Sequence, residues 1–253
     1  NGDLRGGGRM YCHGIATIAL CEAYGVSKDP KLKEPAEKAI QLILAAQDQK
    51  RGGWRYNSTP ADSDTSVTGW QYMALHSARM AGIEVDESVF VNARRWFDHA
   101  GGGRHGGLYG YTGPEKNKHA MIATGMFCRQ LDLVPPTDPR MPESAQALKM
   151  RPINVKKPDL YYLYYGTLAL YQHQGPIWVD WNERIKETLT TLQKKTGPQS
   201  GSWDKSAAHA ASGGRVVSTA LATLSLEVYY RLLPMYGFRN KDAAAPALRV
   251  KGK

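Results

Sequence analysis

The chain has 253 residues, which is enough for one large domain or two small ones. Its 42% hydrophobic and 22% charged residues exclude a disordered chain, and a mean hydropathy of −0.47 without a long apolar run excludes a transmembrane segment. The net charge of +10 is scattered rather than gathered into a basic stripe, so we expect no nucleic-acid partner.

Five segments are rich in Ala, Gly and Thr and are apolar on nearly all sides of a helix, a pattern typical of helices packed on several faces. They are residues 11–24, 65–79, 120–133, 160–172 and 216–230. Between them lie four amphipathic, more charged segments, which are residues 31–48, 86–99, 142–150 and 178–195. This alternation predicts an all-α fold of two concentric layers, with about five inner helices and four to five outer ones.

The domain organisation follows from the same pattern. We expect residues 1–236 to form a single domain and residues 237–253 to form a basic C-terminal tail. The chain begins with Asn1 rather than Met, which leads us to expect a longer parent chain with other domains. The sequence does not indicate the cellular compartment.

Loops that combine glycine with an aromatic residue follow three of the predicted outer helices. They are residues 51–56, 106–111 and 200–204. Glycine permits a tight turn, and the aromatic ring can fold back against neighbouring helices. We expect Trp54 and Trp203 to connect successive helical hairpins.

Two of these loops carry a family resemblance. Gln47 before Gly52-Gly53-Trp54, and Gln193 before Gly201-Ser202-Trp203, resemble the QW repeats of the terpenoid cyclase and protein prenyltransferase superfamily. Residues 64–75 are similar to inner helices of squalene–hopene cyclases. Residues 10–24 and 219–236 are similar to bacterial proteins described as prenyltransferase/squalene oxidase repeat-containing. The resemblance covers residues 9–236 and implies an α/α toroid, in which inner helices surround a central cavity.

The resemblance does not extend to the superfamily's known chemistry. Residues 61–64 read Ala-Asp-Ser-Asp, which places Ser63 where the cyclases carry their proton donor. The Asp-x-Cys zinc pair of the protein prenyltransferases is also missing. We therefore expect neither a metal nor a cofactor.

Candidate site residues lie where the inner helices begin, because in a toroid these ends meet at one mouth and carry partial positive charge. The catalytic candidates are Asp62, Asp64 and His13. The ligand-binding candidates are Tyr11, His119, Tyr161, Tyr162, Tyr165 and Arg215. Structural roles compete with these assignments: Asp64 is also a good helix N-cap, His13 suits a buried hydrogen-bonded position, and the tyrosines can fill the centre.

Three functions remain open at this point. The favoured hypothesis is a toroid domain of a larger bacterial protein that binds a small molecule or a protein partner at its central cavity, without standard cyclase chemistry. The first alternative is an isoprenoid-processing enzyme, cyclase-like or prenyltransferase-like, with Asp62 or Asp64 as a non-standard acid. The second is a carbohydrate-active toroid, suggested by the 14 tyrosines and the paired acids. Whether the protein is an enzyme stays undecided.

Overall fold

The structure is a computed structural model that describes residues 2–151, 153–205 and 212–231. Its helices in chain order are α1 (Met10–Ser27), α2 (Pro30–Ala45), α3 (Thr65–Ala81), α4 (Glu87–Ala100), α5 (His119–Leu131), α6 (Arg140–Met150), α7 (Leu160–His173), α8 (Gly175–Leu192), α9 (Gly214–Leu226) and α10 (Val228–Arg231). Strands β1 (Gly101–Gly102) and β2 (Leu108–Tyr109) pair antiparallel. The predicted tail, residues 237–253, lies outside the described residues.

The helices form two layers, with inner and outer helices alternating along the chain. The inner helices follow one another in space, so that α1 packs on α3, α3 on α5, α5 on α7 and α7 on α9. The outer helices α2, α4, α6 and α8 cover them, each packing on the inner helix before it. The prediction of an all-α toroid with about five inner and four to five outer helices is confirmed, with five inner and four outer helices in the described part of the chain.

Burial distinguishes the middle inner helices from the two at the ends. Every residue of α7 from 160 to 172 is buried, as expected for a helix with neighbours on all sides. The terminal inner helices α1 and α9 instead expose apolar residues, with Ile15 43% and Val216 80% accessible. The segment predicted as one helix over 216–230 is also interrupted, since α9 ends at Leu226 and α10 begins at Val228.

The glycine–aromatic loops attach each outer helix to the next inner helix. The Nε1 of Trp54 donates to the carbonyl of Ile43 in α2 at 2.7 Å, and its backbone amide donates to Oγ1 of Thr68 in α3 at 3.0 Å. Trp203 repeats this geometry further along the chain. Its Nε1 donates to a carbonyl of α8 at 2.8 Å, and its amide donates to a threonine of α9 at 3.2 Å. The repeated motif is therefore a structural connection.

The centre of the toroid is filled by aromatic rings. Trp70 of α3 stacks on Tyr164 of α7, with ring centroids 5.7 Å apart, and meets Tyr165 edge-on at 5.4 Å. Tyr161 closes the cluster on the side where α7 begins. The cavity expected at the centre is thus replaced by an aromatic plug. Open spaces lie instead at each of the two ends of the inner helices.

The two ends differ in chemistry. Where the inner helices end, they enclose a small hollow of 50 Å³ with mainly apolar walls, including Met73, Phe127 and Leu168. Where they begin, a larger and more polar cleft opens. None of the helices within the described residues has the length and apolar character needed to cross a bilayer.

Candidate functional site at the mouth of the toroid

Side chains from the first turns of four inner helices meet at one mouth. The hydroxyl of Tyr11 in α1 is hydrogen-bonded to Oγ of Ser66 in α3. The hydroxyl of Tyr161 in α7 donates to the carbonyl of Ser66 at 3.4 Å. The ring of His119, the first residue of α5, lies edge-on to Tyr162 of α7 with centroids 6.3 Å apart. The helices α1, α3, α5 and α7 therefore begin at the same end of the molecule, as the sequence predicted.

A cleft of 710 Å³ opens at this mouth. Its walls carry three tyrosines, Tyr11, Tyr56 and Tyr111, and two cations, Arg9 and Lys118. Ser66, Met121 and Ser212 complete the lining. Such walls offer flat aromatic faces together with hydroxyl and cationic hydrogen-bond donors.

The tyrosines of the cleft are held by one another. Tyr11 and Tyr56 have ring centroids 5.9 Å apart, and the hydroxyls of Tyr56 and Tyr111 share a hydrogen bond. The guanidinium of Arg9 lies 5.2 Å from the centroid of the Tyr56 ring. Burial raises the pKa of Tyr11 and of Tyr111 above the usual tyrosine value, so both hydroxyls keep their protons at neutral pH.

Sequence reasoning did not identify Tyr56 and Tyr111 as site residues. It assigned their loops a structural role, which is correct for Trp54 and Tyr109, both of them buried. In each loop a second aromatic residue follows two positions later, and this residue lines the cleft. Both loops therefore contain two aromatic residues separated by one position, and this shared pattern could have revealed Tyr56 and Tyr111.

Asp64 lies beneath the cleft and is fully buried. Its Oδ1 accepts from the amide of Val67 at 2.8 Å and from Oγ of Ser66 at 2.6 Å, so Asp64 is the N-cap of α3. No described residue donates a hydrogen bond to Oδ2, and the nearest cation is Nε of Arg55 at 3.8 Å. Burial raises the pKa of Asp64, although these hydrogen bonds and Arg55 oppose that shift.

Asp62 occupies a different environment. Its carboxylate is ion-paired with both Arg51 and Arg55. Partial burial acts to raise the pKa of Asp62, but hydrogen bonds from the Ser63 amide and Arg55 outweigh it, so the pKa is lowered. Asp62 is therefore ionised at neutral pH. The raised pKa of Asp64 thus comes from its burial and not from the nearby Asp62.

His13 has a structural environment away from the cleft. Its Nδ1 accepts from the amide of Leu4 at 3.2 Å, and its Nε2 is 2.9 Å from the carbonyl of Ala39 in α2. Burial lowers the pKa of His13, which favours the neutral ring. Both ring nitrogens are thus engaged, and His13 does not line the cleft.

Tyr162 faces away from the cleft and lines a second hollow. Its hydroxyl donates to the carbonyl of Leu148 at 3.3 Å, and its ring meets Trp181 edge-on at 5.6 Å. The guanidinium of Arg151 lies 4.6 Å from the centroid of the Tyr162 ring. Burial, with a smaller contribution from Arg151, lowers the pKa of His119, the neighbour of Tyr162 across the mouth.

The other ligand-binding candidates do not line the cleft. Tyr161 and Tyr165 belong to the aromatic plug. Arg215, near the start of α9, is hydrogen-bonded to Ser202 at 3.0 Å and ion-paired with Asp204. Of the six predicted ligand-binding residues, Tyr11 alone is among the described residues that line the cleft.

Within the described ranges, no group of three or more His, Cys, Asp or Glu side chains is placed to hold a metal ion.

Comparison with known proteins identifies a similar fold. No protein-family model matches the chain, and no curated protein matches it. A solved structure that does match is an inactive variant of the α-1,6-mannanase GH76A of Salegentibacter sp. HEL1_6, in complex with α-1,6-mannotriose. The TM-score is 0.60 and the identity 15%, over 87% of this chain and 74% of the mannanase chain. This likeness shows a shared helical toroid fold.

This finding corrects the resemblance stated above. The identification with the terpenoid cyclase and protein prenyltransferase superfamily, including the squalene–hopene cyclase-like and prenyltransferase-like repeats, is wrong, since the similar solved structure is a mannanase. The physical reason lies in Trp54 and Trp203, whose hydrogen bonds connect an outer helix to the next inner helix. Any toroid of helical hairpins can use such a connection, so the motif indicates the fold and does not identify a chemistry.

Proposed function

We propose that the protein binds carbohydrate, and that an oligosaccharide occupies the cleft at the mouth of the toroid. The observation that carries this proposal is the group of three tyrosines, Tyr11, Tyr56 and Tyr111, lining an open cleft of 710 Å³. The complex of the similarly folded mannanase with α-1,6-mannotriose supports it. The second alternative from the sequence thus replaces the favoured hypothesis of an unspecified ligand at a central cavity.

The chemistry of the cleft suits a sugar ring. A pyranose has an apolar face of C–H groups, which packs on an aromatic ring, and an edge of hydroxyls, which needs hydrogen-bond partners. The tyrosine rings supply the flat surface, and the hydroxyl of Ser66 with the cations Arg9 and Lys118 supplies polar contacts. A few oriented polar groups among aromatic walls are typical of small-molecule sites.

We assign binding rather than hydrolysis to this cleft. The inactive mannanase variant carries asparagine in place of two consecutive aspartates, and this chain has no two consecutive aspartates. Glycoside hydrolysis generally requires two carboxyl groups on either side of the scissile bond. Here Asp62 is ion-paired with two arginines and Asp64 is buried as a helix cap. The roles of Asp62 and Asp64 as catalytic acids stay predictions.

Calorimetric titration with α-1,6-mannotriose and a panel of neutral and acidic oligosaccharides tests the proposal. The Tyr111→Ala variant should bind the tightest ligand about three- to tenfold more weakly, because it loses one aromatic contact. The matched control is Tyr24→Ala, which removes a half-buried tyrosine from the opposite end of α1 and should leave affinity unchanged. Thermal melts of both variants establish that they fold. Lack of binding across the panel, or equal binding by Tyr111→Ala, would contradict the proposal.

A further inference from the structure

The mouth of the toroid carries three cations without a carboxylate partner among the residues that the structure describes. Arg9 lies over the ring of Tyr56, and Arg151 lies over the ring of Tyr162. Within the described ranges, neither guanidinium has an ion-pair partner, and the same holds for the exposed Lys157. These three cations therefore present their full charge to a bound molecule.

The cations line two neighbouring hollows at the same mouth. Arg9 lines the cleft of 710 Å³, while Arg151 and Lys157 line the second hollow of 260 Å³. The first turn of α5 lies between the two hollows, because Lys118 lines the cleft and the adjacent His119 contacts Tyr162 of the second hollow. A single extended ligand can cross this turn and reach both hollows.

Carboxylates at the mouth are few and already engaged. The described lining of the cleft contains none. Asp159 lines the second hollow, where its side chain accepts a hydrogen bond from the Tyr162 amide as the N-cap of α7. Glu115 pairs with Lys118 at 3.2 Å, and Asp62 is neutralised by two arginines. The carboxylate of Asp64 is buried beneath the cleft, so the charged side chains of the cleft and of the second hollow that can reach a ligand are mainly cations.

We propose that the natural ligand is an acidic oligosaccharide, whose carboxylate or sulfate groups lie against Arg9, Arg151 and Lys157. This inference rests on the proposed function and specifies its ligand class. A sugar ring would pack in the cleft on the half-buried Tyr56, beside Arg9, while the buried Tyr162 holds Arg151 in place at the second hollow. Arginine is well suited to this contact because its planar guanidinium can donate two parallel hydrogen bonds to one anionic group.

The test compares saccharides that carry carboxylate groups, sulfate groups or no charge, and the oligogalacturonate and its methyl ester share one backbone. Affinities are measured for an oligogalacturonate hexamer, its fully methyl-esterified form, α-1,6-mannotriose and a sulfated carrageenan hexamer. We expect the anionic hexamers to bind more tightly than the methyl ester, and the stronger of the two identifies carboxylate or sulfate as the preferred group. Their affinity should also fall between 50 and 200 mM salt, because salt screens exposed charges, while that of the methyl ester should not.

Charge variants locate the contact. Arg9→Gln and Arg151→Gln should each weaken binding of the oligogalacturonate about two- to fivefold, in the range of solvent-accessible ion pairs. Binding of the methyl ester should change much less, because glutamine removes the charge and keeps a hydrogen-bond donor. Arg95→Gln is the matched control, because it removes an exposed arginine from the outer helix α4. This variant should bind the oligogalacturonate and its methyl ester as tightly as the wild-type protein does. Equal loss in this control would overturn the proposed contact.

The outcomes separate this inference from the function on which it rests. If the methyl ester or mannotriose binds as tightly as the anionic hexamers, the acidic ligand class is wrong and the carbohydrate function stands. If no saccharide binds, both the acidic ligand class and the carbohydrate-binding function are wrong. Tighter binding of a single-stranded oligothymidylate, lost in the same two variants, would overturn the inference in favour of nucleic acid, which also combines stacking with negative charge.

Discussion

Asp62 and Asp64 show how two acids two residues apart acquire opposite properties. Two arginines and a backbone amide surround Asp62, so it stays ionised at neutral pH. Asp64 is buried, with one carboxylate oxygen used as the cap of α3 and the other without a hydrogen bond from the described residues. The sequence indicated the N-cap, because an acid before Thr65 and Ser66 is a recognisable helix start. It could not indicate which acid the loop would bury.

A buried histidine at the opposite end of the inner helices makes the stability of the protein depend on pH. His76 of α3 is packed between Tyr72 and Phe90, and its side chain is 15% exposed. Burial, with smaller contributions from Arg79 and Arg94, lowers the pKa of His76 to about 4, although Glu87 opposes this shift and an Asp132 carboxylate oxygen lies 3.8 Å from Nε2. The folded protein therefore favours the neutral ring.

The pH dependence of unfolding tests this environment. Because the folded pKa of His76 lies below the unfolded value of 6.5, its contribution to stability is present above pH 6.5 and is lost as pH falls toward 4. We expect the free energy of unfolding to decrease by up to about 3 kcal/mol over this range. His76→Phe cannot be protonated and should lose less, as measured by urea denaturation at pH 4.5 and 7. An equal decrease in the free energy of unfolding of the wild-type protein and of His76→Phe between pH 7 and pH 4.5 would contradict this prediction.

At the scale of elements, the sequence predicted the helices well because burial on all sides leaves a distinct composition. The predicted segments 65–79 and 160–172 lie within α3 and α7, two of the largely buried middle inner helices. The prediction was weaker for α9, where an apolar composition accompanies partial exposure. An apolar composition indicates that a helix is buried in the complete fold. It does not reveal which inner helix is the first or the last and is therefore partly exposed.

Glycines inside the inner helices permit close packing of the aromatic loops. A Cβ at Gly125 of α5 would lie 2.3 Å from the ring of Tyr109, whereas one at Gly25 of α1 would lie 3.3 Å from Ala81. Alanine favours a helix over glycine by about 1 kcal/mol at either position.

Two glycine variants therefore test the packing. Gly125→Ala should lower the free energy of unfolding by about 1–3 kcal/mol, because the overlap with the Tyr109 ring outweighs the gain in helix propensity. Gly25→Ala should change it much less, since the added Cβ would lie 3.3 Å from the Cβ and 3.4 Å from the Cα of Ala81, a tight contact that a shift of a few tenths of an ångström relieves. Both are measured by urea denaturation. A stabilised Gly125→Ala variant would mean that Tyr109 does not pack against α5 as described.

At the scale of the whole molecule, the alternation of inner and outer helices determines where a ligand can bind. All inner helices run in the same direction, so their positive ends gather at one mouth. The N-cap positions of α1, α5 and α9 are Arg9, Lys118 and Gly213, none of which forms a side-chain cap. The first turns of these helices also lack acidic residues. The beginnings of α1, α5 and α9 thus add positive charge to the mouth, whereas α3 and α7 carry the acidic N-caps Asp64 and Asp159.

The sequence predicted this mouth and its inner-helix residue Tyr11, but not the rest of the site. Tyr56 and Tyr111 come from loops 55 positions apart, and their hydroxyls meet only after the helices have packed. The aromatic plug at Trp70 and Tyr164 could likewise not be distinguished from a tyrosine-lined cavity. Helical periodicity gives the side of a helix that is buried, whereas the fit of rings across several helices depends on the complete fold.

Hydrogen–deuterium exchange with and without a saturating oligosaccharide tests the central claim, that the mouth binds carbohydrate, most directly. The ligands are α-1,6-mannotriose and the oligogalacturonate hexamer. We predict slower exchange at the loops of Tyr56 and Tyr111 and in the first turn of α5, with unchanged exchange around Met80 and Leu131 at the opposite end. Protection confined to that opposite end, or no protection with either ligand, would contradict the account.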